Sequence, residues 1–424
     1  MARVSSSDPS FRAPKGTYDL IPPASWAWEQ VVRLAIDTFA EAGYAPIVTP
    51  IFEHTELFQR GVGEATEVVT KQMYTFTDRG DRSLTLRPEG TAPVVRAVLE
   101  HQLHKGPLPV KLSYAGPMFR QERPQKGRYR QFWQVGLEAI GSDSPVVDAE
   151  VIEVGRRFYS LAGVDTTLLL NSIGHPDDSC RHAYMKVLVD FLERKESVLA
   201  EDDRERVETN PLRTFDSKEP ATIEVMKEAP VITDHLCASC KEHFEAVRGY
   251  LDDLDVQYEL TPSLVRGLDY YTRTAFEFIA GGLGSQNAVG GGGRYDGLSE
   301  ALGGPPLPSI GIAPGIDRIL LARAETEAAA GAIRVYVVGV GEGRREAVRV
   351  ATRLRRARIG TEIDLMDRGM KGQMKDASRT GARWAVIIGD NEIASGTATV
   401  KDMTSGEQRS VAFDEIEESV RIDA

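Results

Sequence analysis

Apolar residues at Trp28, Val31, Ala35 and Phe39 recur at helical spacing until Gly43, which predicts an amphipathic helix. Ala45–Thr49 reads as a short strand stopped by Pro50. Leu84–Leu86 reads as another, leading through Pro88 into a helix that ends near His104. Two alternating runs, Val110–Met118 and Phe132–Ile140, flank the very polar stretch Arg120–Gln131 and predict a long hairpin with a basic tip. A helix over about Val146–Ala162 and a strand at Thr167–Leu170 follow. The charged, mostly helical region of about 174–261 then has the character of an insertion. Strand character returns at Thr274–Ile279, followed by the Gly290–Gly293 run and a helix at Ile316–Ala324.

After a small-residue linker at 328–333, the pattern changes. Val335–Val340, Glu342–Ala357, Thr361–Leu365, Lys371–Thr380 and Ala385–Ile388 alternate strand with helix, which predicts a separate α/β domain over 334–424. The expected fold is therefore α+β: a polar tail over 1–14, a large hairpin-rich antiparallel-sheet domain over 15–327 with its helical insertion, and the C-terminal α/β domain. No internal repeat of solenoid period is present.

Composition narrows the classes. With 42% hydrophobic and 27% charged residues the chain reads as folded, and a net charge of -12 excludes nucleic-acid binding through bulk charge, so any RNA contact needs a local basic patch. The polar start and the absence of an apolar run of roughly 18 residues point to the cytoplasm, with no membrane role. Cys180, Cys237 and Cys240 cannot build a disulfide framework. A zinc set would need Cys180 and His182 to join the Cys237/Cys240 pair, at spacings that match no common zinc pattern, so ordinary thiols and no metal are expected. His54, His101, His104 and His175 show no partner pattern and receive no catalytic role.

The hairpin Phe119-Arg-Gln-Glu-Arg-Pro-Gln-Lys-Gly-Arg-Tyr-Arg130 holds four arginines and a lysine, more cation than a turn requires, and suits polyphosphate or RNA. In the small domain Arg345, Arg349, Arg353 and Arg356 fall at i, i+4, i+8 and i+11 of one helix, a basic stripe with Ala347, Ala351 and Leu354 on another face. Gly339-Val-Gly341-Glu-Gly343 has its third glycine misplaced for dinucleotide binding and reads as a tight strand-to-helix turn. The Gly290–Gly293 run lacks the Lys-Ser/Thr of a P-loop. It is expected to let the backbone approach a small substrate, with Arg294 and Tyr295 on the wall.

Phe119-Arg120-Gln-Glu122 followed by Arg128 resembles motif 2 of class II aminoacyl-tRNA synthetases, and Ser309-Ile-Gly-Ile-Ala-Pro-Gly-Ile-Asp317-Arg318 resembles motif 3. Ala45-Pro-Ile-Val-Thr-Pro50-Ile-Phe-Glu53 resembles motif 1, which in that class belongs to a homodimer interface. Leu264-Val-Arg266-Gly-Leu-Asp-Tyr-Tyr271 and Gly290-Gly-Gly-Gly-Arg294-Tyr-Asp-Gly297 resemble the two signatures of the histidyl-tRNA synthetase family. The resemblance runs over essentially the whole chain.

That resemblance implies activation of histidine by ATP, with Mg²⁺, and transfer to tRNA by a homodimer. It places Arg120 and Arg266 at the reacting α-phosphate, with Glu122, Arg128, Phe132 and Arg318 as further ATP contacts. Glu89 and Thr91 are expected on the substrate ammonium, and Gln134 on the carboxylate side. Glu138 and Tyr271 would hold the imidazole, with Tyr270 and Arg266 completing the histidine site. Gln125, Arg130, Arg345, Arg349 and Arg353 are the expected tRNA contacts, the C-terminal domain being similar to an anticodon-binding domain. The rival reading is a non-ligating synthetase-like regulatory subunit of ATP phosphoribosyltransferase, which lacks that domain. A ligase for another amino acid is a third.

Overall fold

A computed structural model describes residues 11–63, 66–176, 180–284, 287–323 and 333–421. The expected linker over 328–333 lies almost wholly outside them. The chain forms two compact units, a larger one that includes residues 11–20 and 28–323 and a smaller one that includes residues 333–421.

In the larger unit α1 (Ala24–Glu41), β1 (Ala45–Pro46), β2 (Phe52–His54), α2 (Thr55–Val62), β3 (Tyr74–Thr77), β4 (Ser83–Leu86) and α3 (Thr91–Glu100) lead into the long hairpin β5 (Val110–Phe119) and β6 (Gln131–Ile140). Then come α4 (Pro145–Leu161) and β7 (Thr166–Ser172), followed by the inserted helices α5 (Arg181–Lys195), α6 (Glu201–Thr209), α7 (Pro220–Met226) and α8 (Ala238–Asp253). The unit ends with β8 (Glu259–Leu260), β9 (Thr272–Ala280), β10 (Ala288–Arg294), α9 (Leu298–Ala301), β11 (Ser309–Pro314) and α10 (Ile316–Ala322).

Eight of these strands form one sheet in the order β1-β5-β6-β11-β10-β9-β7-β8. The six central strands pair antiparallel, and the two edge strands pair parallel. Pleating sends alternate residues to opposite faces. Val135, Leu137 and Ala139 of β6, Ile310 and Ile312 of β11, and Phe276 and Phe278 of β9 therefore meet Val31, Ala35 and Phe39 of α1 and Val151, Ile152 and Phe158 of α4 in the principal core. The intervening residues, among them Gln134, Glu138, Gly311 and Glu277, belong to the other face.

Three sequence readings change. The strand expected to reach Thr49 ends at Pro46, because its two residues only add a parallel edge to β5. The helix after Pro88 begins at Thr91, where the Glu89 carboxylate accepts the backbone N–H groups of Thr91 and Ala92 at 2.7 and 2.9 Å and caps it. The Gly290–Gly293 run lies in the central strand β10, where cross-strand pairing to β9 and β11 fixes it. A Cβ at Gly292 would sit 2.0 Å from the Gly311 carbonyl, and one at Gly290 would sit 2.3 Å from the Tyr159 hydroxyl. The glycines are required by packing within the sheet.

Arg294 is corrected most clearly. Its side chain is 0% exposed and lines no wall. It donates to Asp148 at 2.8 and 3.1 Å and to the carbonyls of Ser142 and Ser144, while Asp148 also accepts from Thr274 and contacts His243 at 2.9 Å. This buried group ties α4, α8, β9 and β10 together.

The smaller unit comprises β12 (Val335–Gly339), α11 (Gly343–Arg356), β13 (Thr361–Ile363), α12 (Met370–Arg379), β14 (Trp384–Ile388), α13 (Asp390–Ser395), β15 (Thr397–Asp402), β16 (Gln408–Ala412) and α14 (Ile416–Val420). Its sheet order is β13-β12-β14-β15-β16, parallel up to β14 and antiparallel beyond it. Ala347, Ala351 and Leu354 of α11 face inward as the pattern predicts. Gly343 starts α11 so close to β14 that a Cβ would lie 2.2 Å from the Ile388 carbonyl, which accounts for the glycine-rich turn without a cofactor.

Removing the Asp148 charge leaves the buried Arg294 with Asp296, 3.0 Å from its other side, as its remaining carboxylate partner. Asp148→Asn is expected to cost on the order of 3 kcal/mol or more in urea unfolding of the purified protein, and a loss under about 0.5 kcal/mol would show that this network is not structural.

Candidate active site

The open face of the sheet carries two adjoining cavities. The larger, about 220 Å³, is lined among others by Arg120, Glu122, Arg128, Phe132, Arg266 and Arg318. The smaller, about 70 Å³, has Glu89, Thr91, Leu268, Tyr270, Tyr271 and Tyr295 in its wall. Arg120, Gln134, Arg266, Gly291 and Ala313 border both, so the cavities meet at the two arginines.

The cations of the larger cavity come from the hairpin loop, the loop before β9 and α10. Arg120, at the end of the β5 side of the hairpin, donates to the Pro88 carbonyl at 2.9 Å, and its guanidinium lies 5.4 Å from the centre of the Phe132 ring. Arg266 pairs with Glu277 of β9 at 2.5 Å and lies 5.5 Å from the Tyr271 ring centre. It passes so close to Gly291 that a Cβ there would meet its guanidinium at 2.7 Å. Arg318, in the first turn of α10, donates to the carbonyls of Gly127 and Ala288. Gly127 makes the hairpin tip possible: at φ +75 it completes a turn in which Gln125 and Arg128 exchange backbone hydrogen bonds. Glu122 accepts from Arg128 at 3.1 Å and stands 3.9 Å from Arg120.

In the smaller cavity the Glu89 carboxylate is already the cap of α3, and Thr91 donates to Glu138 at 2.8 Å. The Tyr295 hydroxyl donates to the other Glu138 oxygen at 2.6 Å. Glu138 is only 1% exposed and lies behind the wall, beneath Gly311, so the cavity meets its carboxyl through the hydroxyls of Thr91 and Tyr295. Burial pushes the Glu138 carboxyl up to about 8, with the Glu89 charge adding to the rise and the hydroxyl donors opposing it. Glu89 is raised by burial too. Among the described residues, the buried Gln134 side-chain oxygen and the Arg266 Nε have no hydrogen-bond partner. Two unmet polar groups where the cavities join are what a ligand with complementary groups would satisfy.

Trp133 points away from this face. It packs edge-on against Trp28 at 4.7 Å, and its backbone N–H is held by Asp317 at 2.9 Å. Tyr18 donates to the other Asp317 oxygen. Glu277 was not singled out in the sequence, although its alternation with Phe276 and Phe278 puts it on the site face.

The expected tRNA contacts divide. Gln125 sits at the hairpin tip, whereas Arg130 is turned inward, donating to the Glu122 carbonyl at 3.2 Å and to the Lys15 carbonyl at 3.5 Å. On α11, Arg345, Arg349 and Arg356 are exposed, but Arg353 donates to the Phe413 carbonyl and leaves the stripe. A cluster outside both cavities also departs from the sequence reading: His175, not His182, joins Cys180, Cys237 and Cys240, with donor atoms all within 4.8 Å of one another.

Comparison with known proteins identifies the family. The histidyl-tRNA synthetase family model matches residues 16–319, and an anticodon binding domain model matches residues 334–421. The chain belongs to the histidyl-tRNA synthetase family. It is 52% identical over 412 residues to a histidine–tRNA ligase of Mycobacterium bovis, covering 96% of each chain. A Nocardia farcinica histidine–tRNA ligase is 51% identical over 96% of this chain and 97% of its own. The apo histidyl-tRNA synthetase structure from S. aureus superposes with a TM-score of 0.80 at 39% identity, covering 97% of this chain and 99% of that one. Among the described residues no helix is long and apolar enough to cross a membrane.

A carboxyl whose folded pKa lies above its unfolded value favours folding at low pH and loses that contribution as pH rises toward the folded value. The ligand-free protein is therefore expected to lose stability, on the order of a few kcal/mol from Glu138, between about pH 5 and pH 8. Glu138→Gln should flatten the melting temperature over that range, and an unchanged slope would remove Glu138 as its source.

Proposed function

We propose that the chain is a histidine–tRNA ligase, forming histidyl-adenylate and pyrophosphate from L-histidine and ATP and then passing the histidyl group to the 3′ end of tRNA(His). The observation that carries the reading is the convergence of Arg120, Arg128, Arg266 and Arg318, from three separate stretches of chain, on one cavity that opens at Arg120 and Arg266 onto a tyrosine-lined pocket. The match to an anticodon-binding domain, and identity to histidine–tRNA ligases over nearly the whole chain, favour it over a regulatory subunit that lacks such a domain.

ATP occupies the larger cavity. Its adenine lies against Phe132 and Glu122, and Arg128 and Arg318 take the outer phosphates. Arg120 and Arg266, at the junction, hold the α-phosphate where the histidine carboxylate attacks it. Their fixed positive charge answers the negative charge that develops as pyrophosphate leaves. The carboxylates of Glu122 and Glu277 in the same cavity are hard oxygen donors that fit Mg²⁺, which would share the triphosphate charge.

Histidine occupies the smaller cavity. Glu89 and Thr91 face its ammonium, and Gln134, with its unmet oxygen, contacts the amino-acid end beside Arg120. Tyr270 and Tyr271 enclose the imidazole, and Glu138 accepts one ring N–H when the hydroxyls of Thr91 and Tyr295 yield to the ligand. Neutral imidazole in one tautomer suits Glu138 as acceptor with the Tyr271 hydroxyl as donor to the other ring nitrogen, and a site built so discriminates against analogues lacking the groups by ~10⁴-fold.

The hairpin tip at Gln125 and the exposed Arg345 and Arg349 of α11 contact tRNA, with Arg353 holding the fold of that unit. A homodimer is supported by the exposed apolar side chains of Val48, Ile51, Phe52 and Phe76, with Val48 93% exposed, at and beside the motif 1 segment. The cytoplasm is the compartment where such a reaction meets its tRNA.

Histidine-dependent exchange of pyrophosphate into ATP tests the first step. The wild type should respond to histidine and to no other amino acid, and Arg266→Ala should lower the exchange rate by about 10²-fold or more with the circular dichroism spectrum unchanged. Normal exchange in that variant would remove Arg266 from the reaction.

A further inference from the structure

The start of the charged insertion and the start of its last helix meet at one cluster of side chains. His175 lies in the loop after β7, and Cys180 immediately precedes α5. Cys237 caps α8, and Cys240 lies in its first turn. The four donor atoms lie within 4.8 Å of one another, with His175 Nδ1 at 2.9 Å from Cys240 Sγ and 3.7 Å from Cys237 Sγ. Cys180 and Cys240 are fully buried. A tetrahedral zinc ion with bonds of about 2.3 Å to sulfur and about 2.0 Å to nitrogen sets its ligands roughly 3.5–3.8 Å apart. The observed cluster needs only small side-chain rotations to reach that geometry.

From this geometry we infer that His175, Cys180, Cys237 and Cys240 form a structural zinc site that closes the base of the helical insertion. Four ligands leave no open position, so the ion is structural and not catalytic. Zinc is favoured over a hard cation because three sulfurs and an imidazole supply the donors. Binding displaces the three thiol protons and leaves a net charge of -1 on the ion and its three thiolates.

The surroundings suit that charge. The backbone N–H groups of Cys240 and His175 point at the sulfurs of Cys237 and Cys240, and the half-buried Arg181 guanidinium faces Cys180 and Cys240. Gly174, at φ +61, is where the chain bends toward the cluster, and a Cβ there would lie 2.6 Å from Cys180 Sγ. Arg181 also donates to the carbonyls of Ile173 and Gly174 at 3.0 Å and of Tyr271 at 2.5 Å. The cluster thereby braces the segment that carries Tyr270 and Tyr271 into the smaller cavity.

The test is metal analysis of the untagged full-length protein, purified without chelator. About one zinc per chain is expected, falling at least tenfold in the Cys237→Ser/Cys240→Ser double variant and unchanged in His182→Ala. Should the double variant fail to fold, wild type from cobalt-containing medium serves. Thiolate-to-cobalt charge-transfer absorption, bleached in step with titration of three thiols, supports the site. Wild type with less than about a tenth of an equivalent of zinc and no such absorption from cobalt-grown cells overturns the proposal. So does zinc that survives in a folded double variant.

Discussion

Positive charges packed at close range in a partly buried cavity repel one another unless something holds each in place. Arg120, Arg128, Arg266 and Arg318 are held by the carbonyls of Pro88, Gly127 and Ala288 and by the carboxylates of Glu122 and Glu277. The three carboxylates that line the cavity, Glu122, Glu277 and Asp317, do not balance four guanidinium groups. The surplus charge makes the empty cavity complementary to a polyphosphate and costs little reorganisation when one enters. The larger unit brings these four side chains from the hairpin loop, the loop before β9 and helix α10 onto one surface.

The pleat of the sheet does most of that work. In β6, β9 and β11 one set of alternate residues is spent on the helix-covered core, and the other is delivered to the open face. Asp148 and Arg294, locked at the helix side, fix how α4, α8, β9 and β10 meet. A rigid support under the site allows its own polar groups to stay unsatisfied until a ligand arrives.

Much of this was legible beforehand, because the signals are local. The 3.6-residue period of α1, the period-two runs of β5 and β6, and the alternation of strand and helix after residue 334 survive in the structure within a few residues. Arg120, Arg266 and Arg318, which only the family resemblance grouped, line one cavity. Features that depend on partners distant in sequence were not legible. Nothing next to Arg294 announces that Asp148 will bury it, nothing beside Arg353 announces the Phe413 carbonyl, and His175 stands 62 residues before Cys237. The short edge strand β8 owes its existence to its neighbour β7 rather than to its own composition. Of the small sheet β2-β4-β3, the sequence pattern showed β4 at Leu84–Leu86 and not its two neighbours.

The side-chain-free stretch of β10 has one further implication. Where most pockets are bounded by rotamers that can shift, part of this floor is main chain pinned by ladder hydrogen bonds on both sides. Its contour cannot be retuned by ordinary substitution, since even a methyl group at Gly291 or Gly292 collides with a neighbour. Evolutionary change in what this enzyme accepts is thus channelled toward the opposite rim, where tyrosines and loop residues can be exchanged without disturbing the sheet.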